Sequence, residues 1–414
     1  MKSGLSNFAA RLRELISNRQ SAIGNRQFSA LALELFTLQF KHNAAYRKIC
    51  EARDLTPENV EDWTQIPAVP TAAFKELPLT CLPPNERTFV FHSSGTTERW
   101  PSRHFHNAES LKIYETSLLP WFFENVLLNL RFTKYDLRLI CLTPKPSQAP
   151  HSSLIHMFET VRQKLGAPET AFVGKIAAND SWTLDFDAAL AALSPKSRTR
   201  EPRPHVLLGT AFSFVHLLDF LAERNSRFDL PAGSRVMETG GYKNRSRSMP
   251  KAELHALITE RLGVPPENIV CEYGMSELSS QAYDTKLERR SPTRRDAVGI
   301  QAFACSDGTL KRELQRAGSE TGVPAGWRRF RFPPLARVQI ISPGTGREVA
   351  EGETGLIRVF DLANVFSVMA VQTEDLGVRR GDGFELIGRA QFAEPRGCSL
   401  MTHSAFLTPH SAIR

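Results

Sequence analysis

The chain has 414 residues, 41% hydrophobic and 23% charged, a balance that excludes a disordered or collagen-like protein and allows a large core. The formal net charge is +8, but the basic residues fall in short pieces such as "SRTREPRPH" and "KLERRSPTRR", so nucleic acid is not the expected partner. The cysteines (Cys50, Cys81, Cys141, Cys271, Cys305, Cys398) form no C-x-x-C pair, which excludes a zinc knuckle and suits a reducing compartment.

Residues 5–50 read as helices, because "FAARLRELI" and "ALALELFTLQFKH" place apolar residues three and four apart. The N-terminus lacks the apolar core of a signal peptide. No run of about 18 apolar residues occurs, so no membrane span and a cytoplasmic location are expected. The Pro-rich passage "IPAVPTAAFKELPLTCLPP" predicts a connector, since proline removes backbone donors. From 88 to about 300 short apolar runs alternate with helical stretches. "TFVFHSSGTT", "LRLICLTPKP", "HVLLGTAF", "SRVMETGGY" and "NIVCEYGMSE" are the runs; "SLIHMFETVRQKLG" and "PKAELHALITERLG" are two of the helices. This alternation predicts βαβ units and a largely parallel sheet. Ligands of such sheets bind at the carboxyl ends of the strands, where this chain places glycine-bearing turns. From about 335, "ARVQIISPGTGREVAEGETGLIRVFDLAN" and "VMAVQTEDLGVRRGDGFELIGRA" read as β-hairpins. The expected division is a helical segment and connector (1–87), an α/β core (88–334), a β-rich subdomain (335–390) and a tail (391–414).

Three motifs carry chemistry. In "HSSGTTERWPSRH" (92–104), Ser93, Ser94, Gly95, Thr96 and Thr97 follow a β-type run; hydroxyls and glycine-freed N–H groups can hold phosphate. An ordinary turn is the competing reading. In "CEYGMSE" (271–277), Glu277 suits a Mg²⁺ ligand bridging to phosphate, and Tyr273 could lie against a base; the competing reading is a solvated glutamate and a core tyrosine. In "TEDLGVRRGDGFELIGRA" (373–390), Asp375 could accept from sugar hydroxyls and Arg389 could reach ribose or phosphate. A charged hairpin is the competing reading there. The eleven histidines show no H-E-x-x-H pattern, which argues against a histidine metal site.

In their order, these motifs resemble the adenylate-forming superfamily of acyl and aryl ligases. More narrowly, "HSSGTTERWPSRH", "LLGTAFSFVHLLDF", "METGGYKNRSR", "GETGLIRVFDLAN" and "GRAQFAEPRGCSL" resemble the acyl-protein synthetases of the LuxE type, over roughly residues 40–400. The resemblance implies the large-domain α/β fold of that superfamily and a two-step reaction. A carboxylic acid, expected to be a fatty acid, attacks the α-phosphate of MgATP, and the acyl group then passes to a cysteine thiol and on to a partner reductase. It implies that Ser93, Ser94, Gly95, Thr96 and Thr97 hold phosphates, that Gly240, Gly241 and Tyr273 line the adenine, and that Glu277 binds Mg²⁺. Asp375 and Arg389 would bind the ribose, and Cys398 would accept the acyl group.

Two departures stand out. Glu98 follows Thr97 where the superfamily has glycine and then lysine, so Arg103 is the expected substitute charge. Only 25 residues follow Arg389, where full-length ligases carry a further domain with a catalytic lysine; Lys243 or Arg245 is the expected replacement. The alternatives are an acid–coenzyme A ligase of the phenylacetate type and a degenerate adenylate-fold scaffold that only binds a partner. The tail of the acid is expected against residues of "LLGTAFSF" and "LLPWFFENVLLNL".

Overall fold

Apolar residues three and four apart give the N-terminal helices their buried faces. α1 (Ser3–Ser17) buries Leu5, Phe8 and Leu12, and α2 (Asn25–His42) buries Phe28, Ala32, Leu35 and Phe36. α3 (Ala44–Glu51) starts at Asn43, whose side chain accepts from the Tyr46 N–H. The structure is a computed structural model, and it describes residues 3–18, 23–93, 100–127, 137–167, 169–178, 181–194, 203–240, 249–286 and 328–390. The Pro-rich passage contributes β1 (Val69–Pro70) and the single turn α4 (Ala73–Glu76). It is part of the core, with Ile66, Val69, Phe74 and Leu79 all buried.

β2 (Phe89–His92) and β3 (Arg103–His106) follow. The sequence presents β2 as the first strand of the βαβ series. It pairs instead with β3, antiparallel, in a separate two-stranded sheet. α5 (Ala108–Asn125), capped by Asn107, leads to β4 (Arg138–Cys141), and α6 (Ser153–Leu165) to β5 (Thr170–Phe172). A small hairpin of β6 (Gly174–Ile176) and β7 (Trp182–Leu184) precedes α7 (Phe186–Leu193). The regular part then runs β8 (His205–Thr210), α8 (Ala211–Glu223), β9 (Arg235–Thr239), α9 (Lys251–Leu262), β10 (Ile269–Tyr273). α9 has Pro250 at its N-cap and Gly263, at φ +66°, as its C-cap, the asymmetry that its sequence carries.

β5, β4, β8, β9 and β10 lie side by side and parallel. β11 (Ala282–Lys286) and β12 (Arg328–Arg331) continue the sheet antiparallel from β10. β16 (Gly383–Arg389), β15 (Ala370–Arg380), β14 (Thr354–Asp361) and β13 (Ala336–Ile341) complete it in that order, with β1 added parallel to β15. The C-terminal hairpins therefore share one hydrogen-bonded sheet with the parallel strands.

Side chains alternate across this sheet. Leu139, Cys141, Val206, Leu208, Met237 and Val270 pack with α5 and α6 on one face, and Ile140, Leu207, Val236 and Ile269 pack with α8 and α9 on the other. Each such buried side chain contributes about 1.5–3 kcal/mol. The N-terminal helices cover the antiparallel strands, sharing a core with Val359, Phe360 and Val371. Among the described residues no helix is long and apolar enough to cross a membrane.

Candidate active site

A cleft of about 240 Å³ opens at the carboxyl ends of β9 and β10, where the parallel strands give way to the antiparallel ones. Ser93, Gly240, Tyr273, Glu277, Asp375 and Arg389, far apart in the chain, all line it. Arg103 does not: its Nη2 donates to the Lys75 carbonyl at 3.2 Å, and its guanidinium lies over the Phe105 ring. Ser94, Gly95, Thr96, Thr97, Gly241, Lys243, Arg245 and Cys398 lie outside the described residues. Trp100, next to the loop, is 71% exposed.

Two serines, Ser93 and Ser102, bond to each other at the ends of β2 and β3. The Ser93 N–H donates to the Ser102 carbonyl at 3.3 Å, and the Ser102 N–H donates to Ser93 Oγ at 3.0 Å. Ser102 Oγ then donates to Glu277 Oε1 at 2.8 Å, with both residues fully buried. One hydroxyl thus couples the β2–β3 hairpin to the carboxylate. Sequence reasoning missed Ser102, because nothing in "WPSRH" marks its partner. Ser102→Ala should lower turnover at this cleft about tenfold, with fold retained by circular dichroism, since it removes one charge-assisted hydrogen bond.

The turn that carries Glu277 is held from the other side. Asn364 Nδ2 donates to the Glu277 carbonyl at 2.9 Å, and Asn364 Oδ1 accepts from Ser279 Oγ at 2.7 Å. Asp361 accepts from the Ser279 N–H at 2.9 Å and from Ser280 Oγ at 2.8 Å. Burial raises the Asp361 carboxyl to about 6, against the pull of these donors. Gln39, on α2, donates to the Asn364 carbonyl at 2.7 Å and accepts from the Met369 N–H. His104 Nδ1 lies 2.8 Å from the Ser276 carbonyl; burial lowers this imidazole to about 4, so the neutral ring donates through Nδ1.

On the far wall, the Tyr273 hydroxyl donates to Asp375 Oδ2 at 2.9 Å. The Tyr273 ring meets Phe330, Phe332 and Phe384 edge-on. The ring is thus packed like the core tyrosine of the competing reading, while the residue also lines the cleft. Asp375 pairs with Arg389 across β15 and β16, with Arg389 Nε 3.4 Å from Asp375 Oδ1 and Nη2 on Glu374. Arg389 Nη1 is buried and makes no hydrogen bond among the described residues, a donor suited to a ligand oxygen. Gly388 sits at φ +147° and Gly240 at φ +78°, with nothing within 4 Å of a Cβ at either. Backbone conformation, not crowding, requires glycine there.

Glu272 also lines the cleft, a position that no motif singled out. It is 5% exposed and accepts a short hydrogen bond from Thr239 Oγ1. Burial raises its carboxyl to about 7, with Glu238 adding to the effect and Thr239 opposing it. The folded chain therefore holds a proton between pH 4.5 and 7 that the unfolded chain has released. That stabilisation is complete below 4.5 and is lost as pH rises through 7. Glu272→Gln, which does not titrate, should gain stability relative to wild type across this window, by about 3 kcal/mol above pH 8. Urea denaturation at pH 4.5, 6 and 8 measures the gain; a constant difference would refute the shift.

Solved structures share this architecture. A 2-hydroxyisobutyryl-CoA ligase in its postadenylation state, in complex with 2-HIB-AMP, aligns over 88% of this chain and 67% of its own, with TM-score 0.57 and 13% identity. The same ligase in its thioesterification state aligns over 90% and 69%, with TM-score 0.57 and 14% identity. The fold is thus the α/β fold of adenylate-forming enzymes. The profile of the family "Acyl-protein synthetase, LuxE" matches residues 8–301. The chain belongs to this family and is an ATP-dependent acyl-activating ligase. A Vibrio harveyi relative, long-chain-fatty-acid–luciferin-component ligase, is 22% identical over 392 residues, covering 91% of this chain and 88% of the relative.

Proposed function

We propose that the cleft converts a carboxylic acid of the fatty-acid class into its acyl-adenylate, and that the acyl group then moves to the thiol of Cys398 and on to a partner reductase. The observation that carries this reading is the convergence of Ser93, Gly240, Tyr273, Glu277, Asp375 and Arg389 on one cleft at the carboxyl edge of parallel strands. The family and the name of the Vibrio harveyi relative support the substrate class.

Each residue then has a task. Asp375, oriented by Tyr273 and Arg389, accepts from the ribose hydroxyls, and Arg389 Nη1 meets a ligand oxygen. Gly240, with Gly241 and Tyr273, borders the adenine. Ser93 anchors the loop in which Ser94, Gly95, Thr96 and Thr97 hold phosphate, and Lys243 or Arg245 supplies the further positive charge. Glu277 fits Mg²⁺: it is a buried carboxylate with hard oxygen donors, and it lines the cleft together with Ser93. When bound, that ion neutralises charge on the phosphates. The carboxylate oxygen of the acid attacks the α-phosphorus, the bond to the bridging oxygen breaks, and pyrophosphate leaves. A thiolate then attacks the acyl carbon and AMP leaves. Burial raises the thiols of Cys50 and Cys81 to about 11 and about 12, and raises those of Cys141 and Cys271 as well. None of these four is therefore suited to the second step, which supports a thiol elsewhere in the chain.

ATP–pyrophosphate exchange over a panel of acids tests the first step. Intact-mass measurement after incubation with MgATP and the best acid tests the second, with one acyl mass expected on the wild type and none on Cys398→Ala. Thioester release that requires coenzyme A and survives Cys398→Ala would remove the protein-thiol step.

A further inference from the structure

The two walls of the cleft lie on opposite faces of the sheet. Along β10, Cys271 and Tyr273 turn toward the core that holds Phe330 and Phe384, whereas Val270 and Glu272 turn toward the core that holds Met237, Tyr283 and Phe122. β9 follows the same alternation, so Thr239 shares a face with Met237, and the strand register sets it directly opposite Glu272. Asp375 and Arg389 belong to the Tyr273 side. With the nucleotide on that side, the acid falls on the other, against Glu272, Thr239, Ser153 and His92.

That wall is polar where a plain alkyl chain would need it apolar. Glu272 is 5% and Thr239 1% exposed, yet both line the cleft. Thr239 Oγ1 donates to Glu272 Oε2, and no described lysine, arginine or histidine pairs with this carboxyl. Glu272 Oε1 lies over Gly274, where a Cβ would stand 2.2 Å from it. The absence of a side chain at 274 is therefore what allows the carboxyl its position at the cleft. The result is a carboxyl at the cleft wall with one oxygen held by Thr239 and the other packed over Gly274.

We infer that Glu272 and Thr239 form a selecting subsite for carboxylic acids that carry a hydroxyl near the carboxyl group, the hydroxyl donating to Glu272. The inference rests on the acid-activating reading above. A neutral donor matches this carboxyl better than a cation, because burial already favours its uncharged form. An unsubstituted chain would displace water from Glu272 and return no donor, and sites built to bind a hydroxyl reject analogues that lack it.

The test is ATP–pyrophosphate exchange with octanoic and tetradecanoic acids and with their 2-hydroxy and 3-hydroxy derivatives. In wild type, a hydroxy acid should exceed its parent in kcat/KM by about 30-fold or more. Glu272→Leu should bring that ratio to about one, raising the parent acid and lowering the hydroxy acid, whereas Glu272→Gln, which keeps an acceptor oxygen, should retain part of the preference. Thr239→Val provides a second route if the leucine variant does not fold, and it should halve the preference or more. Parent acids that react as well as hydroxy acids in wild type, or a ratio that Glu272→Leu and Thr239→Val leave unchanged, would overturn the subsite alone. Exchange with no acid of any kind would overturn the activation reading and the subsite with it.

Discussion

Glu277→Gln should reduce ATP–pyrophosphate exchange about a thousandfold while leaving the melting temperature within a few degrees of wild type. Glutamine keeps the shape of the side chain. Its Oε1 can still accept from Ser102 Oγ, and the bond from Asn364 goes to the backbone carbonyl, which the substitution does not alter. What disappears is one negative charge, fully buried at the cleft wall. If that charge holds the metal as phosphate bonds rearrange, the loss falls on kcat more than on the KM for MgATP, since the contact strengthens toward the transition state. Exchange that stays within tenfold of wild type would assign Glu277 to the structural network with Ser102, and not to the metal.

The protein should also be labile to acid, losing on the order of 3 kcal/mol of stability between pH 7 and pH 4. The hairpin of β2 and β3 lies in a cluster of histidines. The rings of His104 and His106 are 4.2 Å apart, and Phe91 lies against both His106 and His156. Burial lowers His104 and His156 to about 4, and lowers His106 well below its ordinary value, with its histidine neighbours adding to the effect. Glu115 lies 3.8 Å from His156, and Glu159 and Glu277 oppose the depression at His156 and His104. These folded values lie below the ordinary 6.5, so the unfolded chain takes up protons first as pH falls from 6.5 toward 4. Stability contributed by the neutral rings is complete above 6.5 and is lost through that window. Glu272 and Asp361 act in the opposite sense, because their folded values of about 7 and about 6 lie above the ordinary carboxylate range. The histidines prevail because their depressions are more numerous. Thermal melts from pH 7.5 to 4.5 should show a steady fall, and His156→Gln should flatten it; a Tm that rises on acidification would show that the carboxyls dominate.

The sequence made the regular parts legible for clear reasons. β8, α8, β9, α9 and β10 announce themselves by apolar runs, an amphipathic helix and a terminal glycine, and their turns reach one cleft because parallel strands share a carboxyl edge. Asp375 and Arg389 could be read as a pair from their motif, although only the register of β15 with β16 sets them side by side. The other parts depend on distances that no local pattern encodes. "TFVFH" has the same look as the parallel strands, yet it pairs with a segment across the loop. Ser102, Asn364 and Gln39 are ordinary polar residues until packing brings them to Glu277. Glu272 stood inside a motif already singled out, one residue before Tyr273. Period-two alternation places it on the opposite face, but its burial comes from α5 and the neighbouring strands.

The link from Gln39 through Asn364 to Glu277 also orders events in time. α2 leaves the ribosome before the turn at 277, and Asn364 follows both. Contacts this remote form late, because long loops must close first. A nascent chain can therefore assemble α8, β9 and α9 while its carboxylate turn still lacks the Asn364 brace, and competence to handle ATP should arrive abruptly once β14 and its following turn dock. A chain released before Asn364 should hold a folded parallel core without the chemistry, which separates folding of the scaffold from the onset of catalysis.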